Sequence, residues 1–286
     1  METASTCIMN GLVTSAMYIL VSLGFALLLS IMGIFNFAHG AIYMVGGFVT
    51  YGFSVALGIN PWASFVLSII VMGLFGLFLE KFCFRPFMGN ANSMMIMSIA
   101  LIFILETGAN IWLGGWTRAL PSFIPGVLKA GFFSVTWERF LTLIIGAVLL
   151  VLMTLLINKT TIGQQMLAVA QDKTGAALQG ININRTAAFA TALACMMACV
   201  AGTLMAALLS LNPYMGDSIL NKAIEVVILS GIGSIGGVFF GGLIIGFLNA
   251  VLPVFISSAL SETIVLVIIM VILLIRPKGL FGYELF

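Results

Sequence analysis

Nine apolar runs, separated by short polar stretches, account for most of the chain. The first covers about Ile8 to Ser30. The second follows Asn36 and covers about Ala41 to Leu57, and the third opens at Pro61 and ends at Glu80-Lys81. The fourth covers about Ser93 to Leu113, the fifth about Phe140 to Ile157 and the sixth about Thr186 to Leu211. After Asn212-Pro213 come a short seventh run, Ile219 to Leu229, and a glycine-rich eighth, Gly233 to Phe255. The ninth, about Thr263 to Ile275, meets Arg276-Pro277-Lys278. A membrane-crossing helix needs about 20 apolar residues, so the pattern predicts an all-α polytopic transmembrane helical bundle of about eight to nine spans, some of them broken. The polar stretch carrying Arg118, Pro121, Pro125 and Lys129 has room for a short surface helix. The longest polar segment runs from Asn158 to Arg185, and Gly175 and Gly180 are expected to divide it into short helices.

Composition turns this reading into a membrane protein. The chain has 286 residues, 62% hydrophobic and 7% charged, against about 25% charged for a soluble domain. So much apolar surface would aggregate in water. A net charge of +2 is too small to point to nucleic acid. The four cysteines (Cys7, Cys83, Cys195, Cys199) lie in or beside apolar runs with no CxxC spacing. They read as packing residues, and a single histidine argues against a metal site. The first run lacks a basic leader and a clear small-residue cleavage site, so it is expected to be a retained span.

Basic residues set the orientation. With nine crossings, Lys81, Arg85, Lys159, Lys173, Arg185, Arg276 and Lys278 share one side. Arg118, Lys129 and Arg139 fall on the other, and Lys222 lies near an edge. This puts the long polar segment and the C-terminus in the cytoplasm and the N-terminus outside. A re-entrant seventh run would reverse the parity and strand Arg276 outside. Asn158-Lys159-Thr160 and Asn184-Arg185-Thr186 fit the glycosylation pattern but fall on the cytoplasmic side.

Several motifs carry candidate chemistry. Gly231-Ile232-Gly233-Ser234-Ile235-Gly236 fits GxGxxG. The dinucleotide fingerprint needs a preceding strand and an acid about 20 residues on; apolar spans flank this one, and no acid follows in place. A break between two membrane helices is the better reading. Gly233, Gly237 and Gly241, followed by Gly242 and Gly246, form small-xxx-small spacing for close helix packing within this chain or against a second subunit. Ionisable residues in spans are costly. Glu106 lies inside the fourth run, His39 at the start of the second, and Asp217, Lys222 and Glu225 around the seventh. Lys222 and Glu225 share a helix face and are placed to pair. Each is either a satisfied interhelical partner or a group lining a substrate path. No HExxH, GxSxG or paired acidic cluster supports catalysis.

Taken together, five stretches resemble the LivH-type permease subunits of branched-chain amino-acid ABC transporters. They are Gly33 to Gly40, Gly163 to Asn182, Asn212 to Gly216, Gly231 to Gly237 and Arg276 to Leu280. Their order and spacing match over nearly the whole chain. The resemblance implies one transmembrane permease domain over residues 1–286, not an enzyme, in a bacterial inner membrane. It also implies a second related permease subunit, two cytoplasmic ATP-binding subunits that hold ATP and Mg, and a periplasmic solute-binding protein. No cofactor is expected on this chain. The segment at about 158–185 looks like the family's cytoplasmic coupling loop, with Gly163, Asp172, Ala176, Ala177 and Gly180 matching its pattern. Asn36, His39, Gly40, Glu106, Glu225, Gly231, Gly233 and Gly236 are the candidate path residues. The chain departs from the family at Ala41, at Gln164, Gln165 and Gln171, and at Gly237. Urea and short-chain amide permeases share these motifs, so those solutes stay open beside branched-chain amino acids. An ion-driven secondary transporter is the rival of a different class.

Overall fold

The computed structural model describes residues 2–33, 35–130, 133–231 and 233–282. Eleven α-helices follow in order among them: α1 (Glu2–Met32), α2 (His39–Tyr51), α3 (Pro61–Leu79), α4 (Ala91–Leu113), α5 (Trp137–Lys159), α6 (Thr161–Gln171), α7 (Lys173–Leu178), α8 (Ile183–Leu208), α9 (Met215–Ser230), α10 (Ile235–Phe255) and α11 (Ser258–Ile275). Seven, namely α1, α3, α4, α5, α8, α10 and α11, are long and apolar enough to cross a membrane. α2 and α9 have only 13 and 16 residues, about 20 and 24 Å at 1.5 Å per residue. Neither spans alone. A π-helical turn, Gly52–Ala56, lengthens α2.

Helix starts follow local chemistry. The Asn60 side chain accepts from the Trp62 N–H at 2.9 Å, with Pro61 at the first helical position. Asn90 caps α4, Asn182 caps α8 and Ser234 caps α10 in the same way. Each cap satisfies a backbone donor that the helix cannot.

α1 and α8 are the most buried of the spans and form the centre. They run antiparallel: Ile31 clusters with Ala187 and Ala190, while Gly24 lies against Ala194. α10 packs most extensively on α1, and α3 on α8. Small residues permit this approach. Gly242 of α10 faces Ile19 and Gly246 faces Ser15, while Gly76 of α3 faces Ala192. The Thr50 hydroxyl lies 2.7 Å from that of Ser68 and 2.8 Å from that of Thr203, joining α2, α3 and α8.

These contacts come in matched pairs. α1 with α10 answers α8 with α3, α1 with α9 answers α8 with α2, and α9 with α10 answers α2 with α3. Helices α1–α4 and α8–α11 therefore form two repeats of opposite direction, with α5–α7 between them. Inverted repeats of this kind place an axis in the membrane plane. The sequence reading missed it, although Asn36-Phe37-Ala38-His39-Gly40 and Asn212-Pro213-Tyr214-Met215-Gly216 open the two short helices alike.

The ends of the bundle are distinct. At one, the strands β1 (Val127–Ala130) and β2 (Phe133–Thr136) form a hairpin with Val127 opposite Thr136. This corrects the surface helix expected here. Nearby, Arg118 and Leu211 exchange both backbone hydrogen bonds at 2.8 Å, and Arg139 donates to Asn10 at 2.6 Å. At the other end α6 and α7 meet the last turn of α1. The C-terminal segment packs on the α9–α10 turn, with Leu280 N–H donating to Leu229 O at 2.9 Å. The seventh run thus leads from the middle of the bundle to the α7 end, and the segment after Leu208, paired with Arg118 through Leu211, connects it to the hairpin end. The break within the long polar segment falls at Asp172, whose side chain caps α7, not at Gly175, which lies inside α7. Gly180, at φ 83°, does follow the end of α7.

Candidate translocation path

The two short helices begin beside each other, deep in the bundle. Gly40 and Gly216 are reciprocal neighbours: a Cβ on either would run into the carbonyl oxygen of the other. Both helix starts are held by an asparagine. Asn36 Oδ1 accepts from the Ala38 N–H at 3.2 Å, and Asn212 Oδ1 from the Tyr214 N–H at 2.8 Å. Ser98 Oγ of α4 takes the Phe37 N–H at 3.3 Å. His39 is fully buried, its Nε2 3.1 Å from the Val21 carbonyl halfway along α1. Asn36, His39 and Gly40 therefore form a packed junction, not an open wall.

The open polar surface lies on the other side of α9. Tyr214, Asp217, Ser218 and Asn221 are exposed and Glu225 is half-buried, a spacing of three to four residues that defines one face. The ion pair expected from the spacing forms: Lys222 Nζ lies 3.0 and 3.2 Å from the two Glu225 oxygens, each side chain 11% exposed. Glu106 of α4 stands against Asp217, and Asn110 donates to Tyr214 Oη at 3.2 Å. A groove of about 710 Å³ opens between α9 and α11. Ser218, Asn221, Lys222, Glu225 and Glu262 make its polar part. Leu266, Ile269, Met270 and Leu273 make an apolar wall along α11. Such a face is too costly to present to lipid, so it belongs to a wet path or a protein contact.

The structure thus brings Glu106 and Glu225 to one polar helix, with Asn36, His39 and Gly40 behind it. Gly231 and Gly233 lie elsewhere, in the α9–α10 turn at the α7 end, and Gly236 lies in the first turn of α10. There Gly231 is wedged against Gly282 and the Lys278 carbonyl, while Gly233 and Gly236 face open space. Glu262, Asn221, Ser218 and Tyr214 were not singled out from sequence. The α9 residues carried a signal in their helical spacing; Glu262 sits just outside the ninth run as drawn and gave none.

The expected coupling residues form a compact unit. Thr160 caps α6 through the Gly163 N–H at 3.1 Å, and Gly163 lies directly on the last turn of α5, leaving no space for a Cβ. Asp172 Oδ1 accepts from Thr174 N–H at 2.9 Å. Ala176 is buried against α1 and α8, while Ala177 and Leu178 face outward. Lys173 Nζ donates to the Met32 carbonyl at 2.9 Å. Partial burial there lowers the Lys173 pKa from its ordinary value.

The fold and this surface define a polytopic membrane permease subunit. A family described as branched-chain amino acid transport system / permease component matches residues 7–274, and the chain belongs to it. It is 30% identical to the "High-affinity branched-chain amino acid transport system permease protein LivH" of Escherichia coli (strain K12), covering 96% of this chain and 94% of that protein. It is 28% identical to the corresponding permease protein BraD of Pseudomonas aeruginosa, with the same coverage of each. Among solved structures, PsaBC from Streptococcus pneumoniae in complex with Fab has a similar fold. The TM-score is 0.53 at 18% identity, covering 95% of this chain and 92% of that one.

Proposed function

We propose that this chain forms half of the channel of an ABC importer that carries branched-chain amino acids into the cytoplasm. The supporting observation is the 30% identity to a branched-chain amino-acid permease over 96% of the chain. A second related permease completes the channel, two cytoplasmic ATP-binding subunits hold ATP and Mg, and a periplasmic protein delivers the solute. The chain itself binds no cofactor and performs no chemistry. The α6–α7 end lies in the cytoplasm and the hairpin end outside, as the basic residues favour. The ATP-binding subunit docks on α6–α7, where Leu178 is 85% exposed. Its closure reaches the Gly40–Gly216 junction through Lys173 and the carbonyl end of α1. The bundle then alternates between openings along the polar face of α9.

The test is uptake of radiolabelled leucine, urea and acetamide by cells lacking this chain and by cells carrying it. Leucine uptake that requires both this chain and catalytically intact ATP-binding subunits is the expected result. Uptake that persists with inactive ATP-binding subunits would establish an ion-driven carrier. Uptake of acetamide or urea without leucine would establish the amide importer.

A further inference from the structure

The groove between α9 and α11 combines features that neither lipid nor a plain helix contact requires. Its polar part carries Lys222, Glu225 and Glu262. Lys222 and Glu225 satisfy each other, which leaves the exposed Glu262 carboxylate as surplus negative charge. Lys222 is the single cation among the residues lining the groove, and its ammonium has three donors, so a further acceptor can approach. Asn221 adds an exposed amide. Directly beyond these groups, toward the α7 end, Leu266, Ile269, Met270 and Leu273 repeat along one face of α11. At about 710 Å³ the groove has the size of an ordinary small-molecule site.

We propose that this groove is a transit site, within the permease itself, for a zwitterionic α-amino acid with an aliphatic side chain. The ammonium of the solute lies between Glu262 and Glu225, its carboxylate meets Lys222 and Asn221, and its side chain lies along the α11 wall. Other occupants fit less well. An acyl chain would cover the wall but leave Glu262 and Lys222 facing hydrocarbon. A neutral amide brings no charge for Glu262 and no group for the wall. A solute with a charged side chain would desolvate that charge against leucine and methionine. The proposal rests on the branched-chain reading above and adds where, and by which groups, the permease recognises the solute.

The experiment uses the assembled transporter, this chain with its partner permease and ATP-binding subunits, in lipid nanodiscs without the solute-binding protein. Equilibrium binding of radiolabelled leucine is expected to be saturable and displaced by isoleucine but not by acetamide. Glu262→Gln should weaken it about ten-fold or more, the range for losing a charged hydrogen bond. Met270→Ala should weaken leucine more than alanine, which a general loss of folding would not do. Both side chains are exposed in this chain, so these variants are expected to fold. Unchanged leucine affinity in both variants overturns the proposal. So does an absence of binding by an assembly that takes up leucine once its solute-binding protein is added, and the substrate reading then survives. Uptake of acetamide without leucine overturns both.

Discussion

The two sides of α9 make opposite use of the same helix. On one, Gly216 meets Gly40 backbone to backbone, and Ala223, Val226 and Val227 are buried behind it. On the other, Ser218, Asn221 and Glu225 face a groove, and Asp217 is exposed beside Glu106. Lipid supplies no hydrophobic force between helices, so close approach of small residues has to hold them. Glycine does this at the junction because nothing else fits. The polar side gives up packing and leaves space that water or a solute can enter. Close packing and open space are thus separated by about half a turn of one helix.

The sharpest way to break this contrast is at the junction. Gly216→Leu would push a side chain into the Gly40 carbonyl, with backbone on both sides and nothing flexible to yield. A cost at or above the upper end of the roughly 1–3 kcal/mol for overpacking is expected. It should appear as loss of a monodisperse, thermally stable permease in detergent. Gly236→Ala, where a Cβ meets open space, should leave the melting midpoint unchanged. Equal behaviour of the two variants would mean that the junction is not packed as described.

On the polar side, the comparison is sharpened by separating stability from transport. Glu225→Ala strands the Lys222 ammonium in a nearly buried position. A loss of about 3 kcal/mol is expected, at the low end for breaking a buried pair. Removing both charges, with Lys222→Met and Glu225→Leu, should restore most of the melting midpoint, because no unpaired charge remains. Leucine uptake should nevertheless stay low. A double variant that transports normally would remove this pair from the path.

The two asparagine turns ahead of α2 and α9 give a smaller and more symmetric test. Asn36 and Asn212 do the same job at the starts of α2 and α9, but Asn36 is 1% exposed and Asn212 half-buried. Either alanine variant loses one side-chain-to-backbone hydrogen bond, worth about 1 kcal/mol. Asn36→Ala should lower the melting midpoint further, since it also leaves a void in the core.

How much of this could be read beforehand depends on the physics involved. The nine apolar runs correspond to helices α1–α5 and α8–α11, because burial in lipid is a local property of composition. The Lys222–Glu225 pair was legible because helical spacing alone brings the two side chains together. The repeat was not. It shows as a shared Asn-x-x-x-Gly opening at 36 and 212, too short to stand out, and becomes evident only when α1 lies against α10 and α3 against α8. Glycine breaks were also ambiguous. Gly231 with Gly233 and Asn36 to Gly40 look alike as helix interruptions, yet the two glycines lie in a turn beside the C-terminal segment and the other stretch is a junction deep in the bundle. Depth is set by partners far away in sequence. The pairing of β1 with β2 in place of a surface helix was not legible, because Val127-Leu128-Lys129-Ala130 shows no alternation of apolar and polar residues to mark a strand.

The mildest expected effect lies where the junction meets the α6–α7 segment. Lys173 holds α7 to the Met32 carbonyl, one residue before the chain turns at Gly33 toward the buried start of α2. Lys173→Met removes one hydrogen bond, worth about 1 kcal/mol, and should barely move the global melting midpoint. Its consequence should be local: faster proteolysis or hydrogen exchange at α7, and fewer solute molecules moved per ATP in the reconstituted transporter. The pH dependence has a defined sign. The folded pKa of Lys173 lies below its ordinary value of 10.5 because burial disfavours the ammonium. The unfolded segment therefore binds more protons, and docking strengthens as pH rises between the two values. Protection of α7 should increase over that interval in the wild-type chain and stay flat in Lys173→Met. Identical profiles for the two would mean that α7 is held by the burial of Ala176 alone.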